Sequence, residues 1–229
     1  KRTNIDIDLE PHTDYFSWMY APMEMIESEY LGQFPDRPFI WCEYSHAMGN
    51  SNGNIVDLWD MVRSERQMQG GFIWDFVDQG LAAIDEDGTK YWKFGGDFAP
   101  DHYHTDGNFC LNGIVNADRT PHPALEEVKH VYQNAHASWA DENKKEIMLY
   151  NENFFTSLAA YKLEFVLLKN GVEIESYTHN LQTLPQETAY IPLAFKSELE
   201  NSSDYHVNIY GKLKKAGVLL AEGHLAFSE

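Results

Sequence analysis

Cysteine is nearly absent from this chain: Cys42 and Cys110 are the only two in 229 residues. Two cysteines so far apart make neither a zinc spacing nor a disulfide framework. Each lies in an apolar or motif context, so both are read as reduced and buried. Long apolar runs are missing too. No stretch approaches the ~18–20 apolar residues that a membrane-spanning helix requires. Lys1-Arg2-Thr3 leads into the acidic, Ile-containing run Asn4 to Glu10 rather than into a signal peptide. With no opening Met, the beginning reads as cut rather than native. Positive charge is the third shortage. Seventeen Lys and Arg against 36 Asp and Glu leave a formal charge of −19. Nucleic acid demands a basic surface to meet its phosphates, and anionic membranes repel an acidic one, so neither is expected as a partner. The acidity itself reads as a solubility feature.

What the chain does hold changes character near residue 133. Before it, short apolar runs alternate with helical patterns. Pro22 to Phe34 places Met23, Ile26 and Tyr30 on one helical face, and Asp36-Arg37-Pro38 ends it. Phe39 to Cys42 is a strong strand. Ile55, Leu58, Trp59 and Val62 then fall at helical spacing within Ile55 to Arg66. Gly70-Gly71 closes that connection and Phe72-Ile73-Trp74 starts a second buried strand, so the unit reads as βαβ with parallel strands. A long loop from about Ala83 to Asp118 follows, rich in Gly, Asp, aromatics and His; structureless loops of that length are unusual unless functional. Pro121-His122-Pro123 sets up a helix over Ala124 to Tyr132. Beyond residue 133 nearly everything alternates with period two. Lys145 to Tyr150, Tyr161 to Leu168 and Tyr205 to Leu213 are strand candidates, separated by turn signals such as Asn151-Glu152-Asn153, Asn170-Gly171 and Ala216-Gly217. About seven short strands over ~100 residues fit an immunoglobulin-like sandwich.

The chemistry concentrates on Cys42-Glu43-Tyr44-Ser45-His46-Ala47-Met48-Gly49-Asn50-Ser51, directly after Phe39-Ile40-Trp41. A short apolar run reads as a strand buried on both faces of a parallel sheet, and reactive groups in such sheets sit at the strands' carboxyl ends. Glu43 stands there. A lone Glu at a strand end is more often a solvated or salt-bridged carboxylate, but other segments point the same way. Trp74 and Asp75 end the second strand, and Tyr20 stands in Trp18-Met19-Tyr20-Ala21-Pro22. The long loop carries Gly95-Gly96-Asp97-Phe98 and Asn108-Phe109-Cys110-Leu111-Asn112-Gly113. Aromatics beside carboxylates and amides suit sugars, whose C–H faces stack on rings while their hydroxyls take polar groups; core packing is the alternative for each ring.

The runs W-C-E-Y-S-H-A-M-G-N-S, Q-G-G-F-I-W-D-F-V-D-Q, G-G-D-F and F-C-L-N-G-I-V-N-A-D-R-T-P-H-P-A-L resemble, in order, the large bacterial β-galactosidases of glycoside hydrolase family 2. The resemblance spans Met19 to Leu125. It implies a fold made of the last strands and helices of a TIM (β/α)8 barrel over residues 1–132, followed by an immunoglobulin-like β-sandwich over 133–229. It implies that Glu43 is the nucleophile of a retaining mechanism, that Tyr20 hydrogen-bonds it, that His46, Trp74 and Asn112 bind galactose, and that Phe109 and Asn112 hold a monovalent cation, sodium or potassium. A structural His46 that fixes its loop, and a simple turn role for Asn112 before Gly113, are the plainer readings of those two residues.

The chain departs from the pattern in one respect that matters. Retaining hydrolysis uses two carboxylates roughly 5–5.5 Å apart. The family's acid/base lies in an Asn-Glu-Ser run on an earlier strand, and no such run occurs here; Asn151-Glu152 falls in the β-rich part. The magnesium ligands of the family also map upstream. The implied partners are a galactoside, the remainder of a parent chain and further copies in a homo-oligomer, with the cytoplasm as compartment and the periplasm as alternative. The chain alone is expected to be inactive and to hide unpaired barrel strands by association. Two other readings compete: a non-catalytic carbohydrate-binding or interaction module on the sandwich, and a glucuronidase, which would need a basic residue near Glu43 that the motifs do not offer.

Overall fold

Three short parallel strands and the helices between them form the first half of the chain because apolar side chains recur at strand spacing, then helix spacing, then strand spacing. The computed structural model describes residues 13–32, 36–99 and 102–229. The predicted helix end at Phe34 and the run Asn4 to Glu10 lie outside the described residues. Two compact units divide the chain, Lys1–Val131 and Tyr132–Glu229.

In the first unit the order is β1 (Phe16–Met19), α1 (Met23–Glu29), β2 (Phe39–His46), α2 (Ile55–Ser64), β3 (Met68–Trp74), β4 (Leu81–Ile84), β5 (Lys90–Lys93) and α3 (Ala124–Val131). Strands β1, β2 and β3 make one sheet in that spatial order, with both pairings parallel. β1 was not expected: four residues with two aromatics and a Met carry too little alternation to read as a strand. The helices cover one face of the sheet. Phe39 and Trp41 point into that layer and are fully buried among Ile26, Tyr30, Ile55 and Met61; each such side chain removed from water contributes about 1.5–3 kcal/mol. The Trp41 indole also donates to the Ala21 carbonyl at 3.0 Å. Gly71 lets β3 approach, since a Cβ there would stand 2.6 Å from the Tyr44 ring.

The other face of that sheet is bare. Met19, Phe72 and Trp74 are 53%, 65% and 41% exposed. The expectation of strands buried on both faces is therefore corrected: three helices supply one covering layer only. The expected long loop is corrected as well. Asp85 and Gly88 turn the chain into a hairpin, β4 pairing antiparallel with β5, the Asp85 carboxylate accepting from the backbone N–H groups of Asp87 and Thr89. A 3-10 turn over Gly95–Phe98 follows.

The second unit contains β6 (Ala135–Trp139), β7 (Glu146–Asn151), β8 (Tyr161–Lys169), β9 (Val172–Asn180), β10 (Thr188–Pro192), β11 (Tyr205–Leu213) and β12 (Leu225–Ser228). They form two antiparallel sheets, β10-β7-β6 and β12-β11-β8-β9. Alternation does what it should: Ile147 and Leu149 from one sheet meet Leu163, Phe165, Ile209 and Phe227 from the other in a single buried cluster. Asn151, fully buried, donates its amide to the carbonyls of Thr156 and Leu184 and so ties the end of β7 to two loops. Among the described residues no helix is long and apolar enough to cross a membrane.

Candidate active site at the ends of the parallel strands

Strict alternation along β2 would put Glu43 on the same face as Phe39 and Trp41, beneath the helices. It does not lie there. The pairing of β2 with β1 runs Trp18 to Trp41 and then Met19 to Glu43, skipping Cys42, and its pairing with β3 is irregular over the same stretch. This is a β-bulge, which re-aims the side chains after it. Tyr44 takes the buried position instead, while Cys42 is exposed and Glu43 half-buried on the open face. Both cysteines are free thiols, as expected, but Cys42 is exposed rather than buried, and Cys110 is intermediate. The bulge is the reason for Cys42.

Tyr20 closes on Glu43 from the end of β1. Its backbone N–H donates to the Glu43 carbonyl at 2.7 Å. Its phenol holds its proton far above the usual tyrosine range, first through burial, then through the neighbouring Glu43 carboxylate and its charge. Tyr20 sits at φ 52°, left-handed backbone that a bulky residue adopts only where the surroundings enforce it.

His46 ends β2 and pairs in register with Trp74, the last residue of β3. Its ring stacks on Phe109, centroids 5.1 Å apart, and meets the edge of Tyr20 at 6.4 Å. His46 Nε2 is buried and has no hydrogen-bond partner among the described residues. A buried imidazole nitrogen left unpaired is costly unless a ligand completes it. Behind His46, the Ser45 hydroxyl donates to the Asn52 amide oxygen, which pins the turn after the strand.

Asn112 is almost wholly buried. With its amide oriented by its neighbours, its oxygen accepts from the Trp74 indole N–H at 2.9 Å and its nitrogen donates to the Cys110 carbonyl at 3.2 Å. The loop is laced to the strand end by backbone bonds, Asp75 N–H to the Asn112 carbonyl at 2.6 Å and Ile114 N–H to the Asp75 carbonyl at 3.0 Å. The structure thus brings together Glu43, Tyr20, His46, Trp74, Phe109 and Asn112 at one end of the parallel sheet. Among the described residues no group of three or more His, Cys, Asp and Glu is gathered to hold a metal. An oxygen-only site would draw on the Phe109 carbonyl and the Asn112 amide, whose oxygen keeps a second lone pair beside the one given to Trp74.

The family model for "Glycosyl hydrolases family 2, TIM barrel domain" matches residues 5–137. The chain belongs to glycosyl hydrolase family 2. Its first unit is the C-terminal part of that family's TIM barrel and its second is a β-sandwich, where the model for "Beta-galactosidase, domain 4" matches residues 147–229. Among curated proteins it is similar to a beta-galactosidase of Halalkalibacterium halodurans, 38% identical over 219 residues, which is 95% of this chain and 21% of the relative. It is likewise similar to beta-galactosidases of Priestia megaterium, 40% identical over 85% of this chain and 19% of the relative, and of Vibrio cholerae, 42% identical over 84% and 17%. The chain spans about a fifth of the length of the curated relatives it matches.

Sequence reasoning missed two features of the site. The bulge at Cys42 carries no composition signal; only the mismatch between alternation and a reactive Glu43 could have flagged it. The other is the hydrogen bond between Asp78 and His122, 44 positions apart in sequence and 2.9 Å apart in space.

Proposed function

We propose that this chain is part of a retaining β-galactosidase that cleaves terminal non-reducing β-D-galactosides. The observation that carries the reading is the gathering at one strand end of Glu43, of Tyr20, whose N–H donates to the Glu43 carbonyl, of the unpaired buried His46 Nε2 and of the exposed Trp74 face. In this reading Glu43 attacks the anomeric carbon as the glycosidic C–O bond breaks, and a galactosyl ester forms on its carboxylate. The departing oxygen takes its proton from a second carboxylic acid, which then deprotonates the water that hydrolyses the ester. That second acid is supplied by the parent protein outside this chain. Tyr20 stabilises the Glu43 anion before attack and again as the ester is cleaved. His46 and Trp74 bind the sugar, the first through a hydroxyl and the second through its ring face.

Phe109 and Asn112 would hold a monovalent cation, sodium or potassium, in an oxygen-only site. When bound, such a cation supplies a fixed positive charge for sugar oxygens. The magnesium ligands of the whole enzyme lie outside this chain. Since retaining hydrolysis takes two carboxylates, the 229-residue chain alone is inactive in this reading. The test is labelling of the full-length protein with an activated 2-fluorogalactoside and mapping of the adduct. A label on Glu43 supports the assignment; a label on any other carboxylate refutes it.

One observation favours the alternative, a carbohydrate-binding or interaction module on the sandwich. Phe154 and Phe155 stand 72% and 97% exposed after β7, their ring centroids 6.4 Å apart. Retention of residues 132–229 on a galactan column, lost on Phe155→Ala, is the outcome that would support it.

A further inference from the structure

Asp78 is a charged side chain with only 13% of its surface exposed, and the chemistry proposed above does not use it. Its two carboxylate oxygens hold two different segments. One accepts from the Gly113 N–H at 2.8 Å, and the other accepts from His122 Nε2 at 2.9 Å. Its own N–H donates to the Val115 carbonyl at 3.0 Å, and Val77 bridges to Val115. Gly113 is required at this crossing: a Cβ there would collide with the backbone of Val77 and Asp78. His122 is itself fixed, its N–H donating to the Ile114 carbonyl at 3.1 Å two residues before α3 begins. The residue before Gly113 is Asn112, whose buried amide oxygen takes the Trp74 indole N–H. Trp74 in turn lies four residues before Asp78 on the same strand end.

We infer that Asp78 and His122 are positioning residues, a brace that holds Asn112 against the Trp74 indole and so fixes the wall of the sugar site. Charge-assisted bonds to a backbone N–H and to an imidazole are the strong kind, and a carboxylate with both oxygens engaged cannot rotate to release one segment. Losing the carboxylate leaves the Gly113 N–H unpaired in a half-buried crossing, which lets the Asn112 loop lift. The sugar-site part of this inference rests on the galactosidase reading; the brace itself does not.

The experiment separates the two. In the ¹⁵N-labelled 229-residue chain, hydrogen exchange is followed at the Trp74 indole N–H and at the Trp59 indole N–H, which donates to Tyr44 at 3.1 Å in the helix-covered layer. Asp78→Ala is expected to speed Trp74 exchange about 10- to 100-fold, the factor that loss of a hydrogen bond to a charged group produces. Trp59 should not respond, and Asp78→Asn, which keeps an oxygen for Gly113, should restore most of the protection. In the full-length protein the same Asp78→Ala change is expected to raise KM for a nitrophenyl galactoside about tenfold with kcat held within about threefold, as loss of uniform binding does. Unchanged Trp74 exchange, or Trp74 and Trp59 loosening together, overturns the brace. If Asp78→Ala does not fold, His122→Ala keeps the Gly113 bond; it should still speed Trp74 exchange selectively, and no change there overturns the brace equally. An unsubstituted full-length protein without galactosidase activity, with the Trp74 response intact, upholds the brace and retires the galactosidase reading.

Discussion

The two units solve the same problem, covering a sheet, to different degrees. In the sandwich two sheets cover each other: Phe165 and Leu163 are wholly buried, and the neighbouring Lys162 faces solvent. In the barrel segment the helices cover one face of β1, β2 and β3, and the other face stands open with Met19, Phe72 and Trp74 exposed. The closed unit uses its polar side chains for ties between strands and loops, as where the Glu175 carboxylate accepts from the Ser197 hydroxyl and the Lys196 N–H. The open unit has Glu43, Tyr20 and His46 at its bare end. The candidate site gathers at the carboxyl end of β2 and β3, the end at which parallel barrels present side chains to a ligand.

The largest way to sharpen this contrast is at Glu43. Glu43→Gln in the full-length protein should lower kcat/KM for a nitrophenyl galactoside by at least about 10³-fold, or roughly 4 kcal/mol of transition-state stabilisation. The melting temperature should hardly move, because the half-exposed carboxylate supports no core. If galactosidase turnover survives, Glu43 is not the nucleophile, and the open end of the sheet loses its functional reading.

Next in size is a matched pair of core tests. Phe165→Ala, in the closed unit, removes a fully buried ring and should cost about 3–5 kcal/mol in urea unfolding. Phe72→Ser, on the open face, removes a ring 65% exposed and should stay within about 0.5 kcal/mol. Phe72→Ser should also reduce self-association of the isolated chain, read by light scattering. A monodisperse, folded monomer before any substitution would show that the bare face needs no partner, and would break the comparison.

How much of this was legible beforehand depended on whether the signal was local. The helices α2 and α3 could be read from apolar spacing and end charges, and β2, β3, β7, β8 and β11 from alternation or apolar runs. β1 could not, being four residues long, and the β4–β5 hairpin hid behind a loop-like composition although Asp85-Glu86-Asp87-Gly88 is a turn signal. At the site, the residue types and motifs named Glu43, Tyr20, His46, Trp74, Phe109 and Asn112. Their juxtaposition was not readable from spacing, since it depends on strand pairing and on a bulge. The Asp78–His122 pair was invisible for the same reason: its partners meet only after two loops have folded back on the strand end.

The smallest predicted effect concerns alkaline pH, and it too contrasts the units. Burial raises the phenols of Tyr20, Tyr30 and Tyr44 in the barrel segment, Tyr44 to about 12, with the Glu43 carboxylate adding at Tyr20, Arg37 opposing at Tyr30 and the Trp59 bond opposing at Tyr44. In the sandwich, burial raises Tyr177, opposed by the Ala194 N–H. An unfolded tyrosine titrates near ~10. Above that pH the native state holds protons that the unfolded chain has lost, so unfolding releases protons and stability falls as pH rises. The stabilisation is complete below pH ~10 and disappears as pH climbs through the native values, toward 12 for Tyr44. Five of the six tryptophans, Trp18, Trp41, Trp59, Trp74 and Trp92, lie in the barrel segment and Trp139 in the sandwich. Urea melts followed by tryptophan fluorescence should therefore report a loss of stability between pH 10 and 12 for the barrel segment. Melts of a Trp139-only variant should shift less, because the sandwich carries fewer raised phenols. Equal losses in both would mean that the buried tyrosines do not distinguish the units.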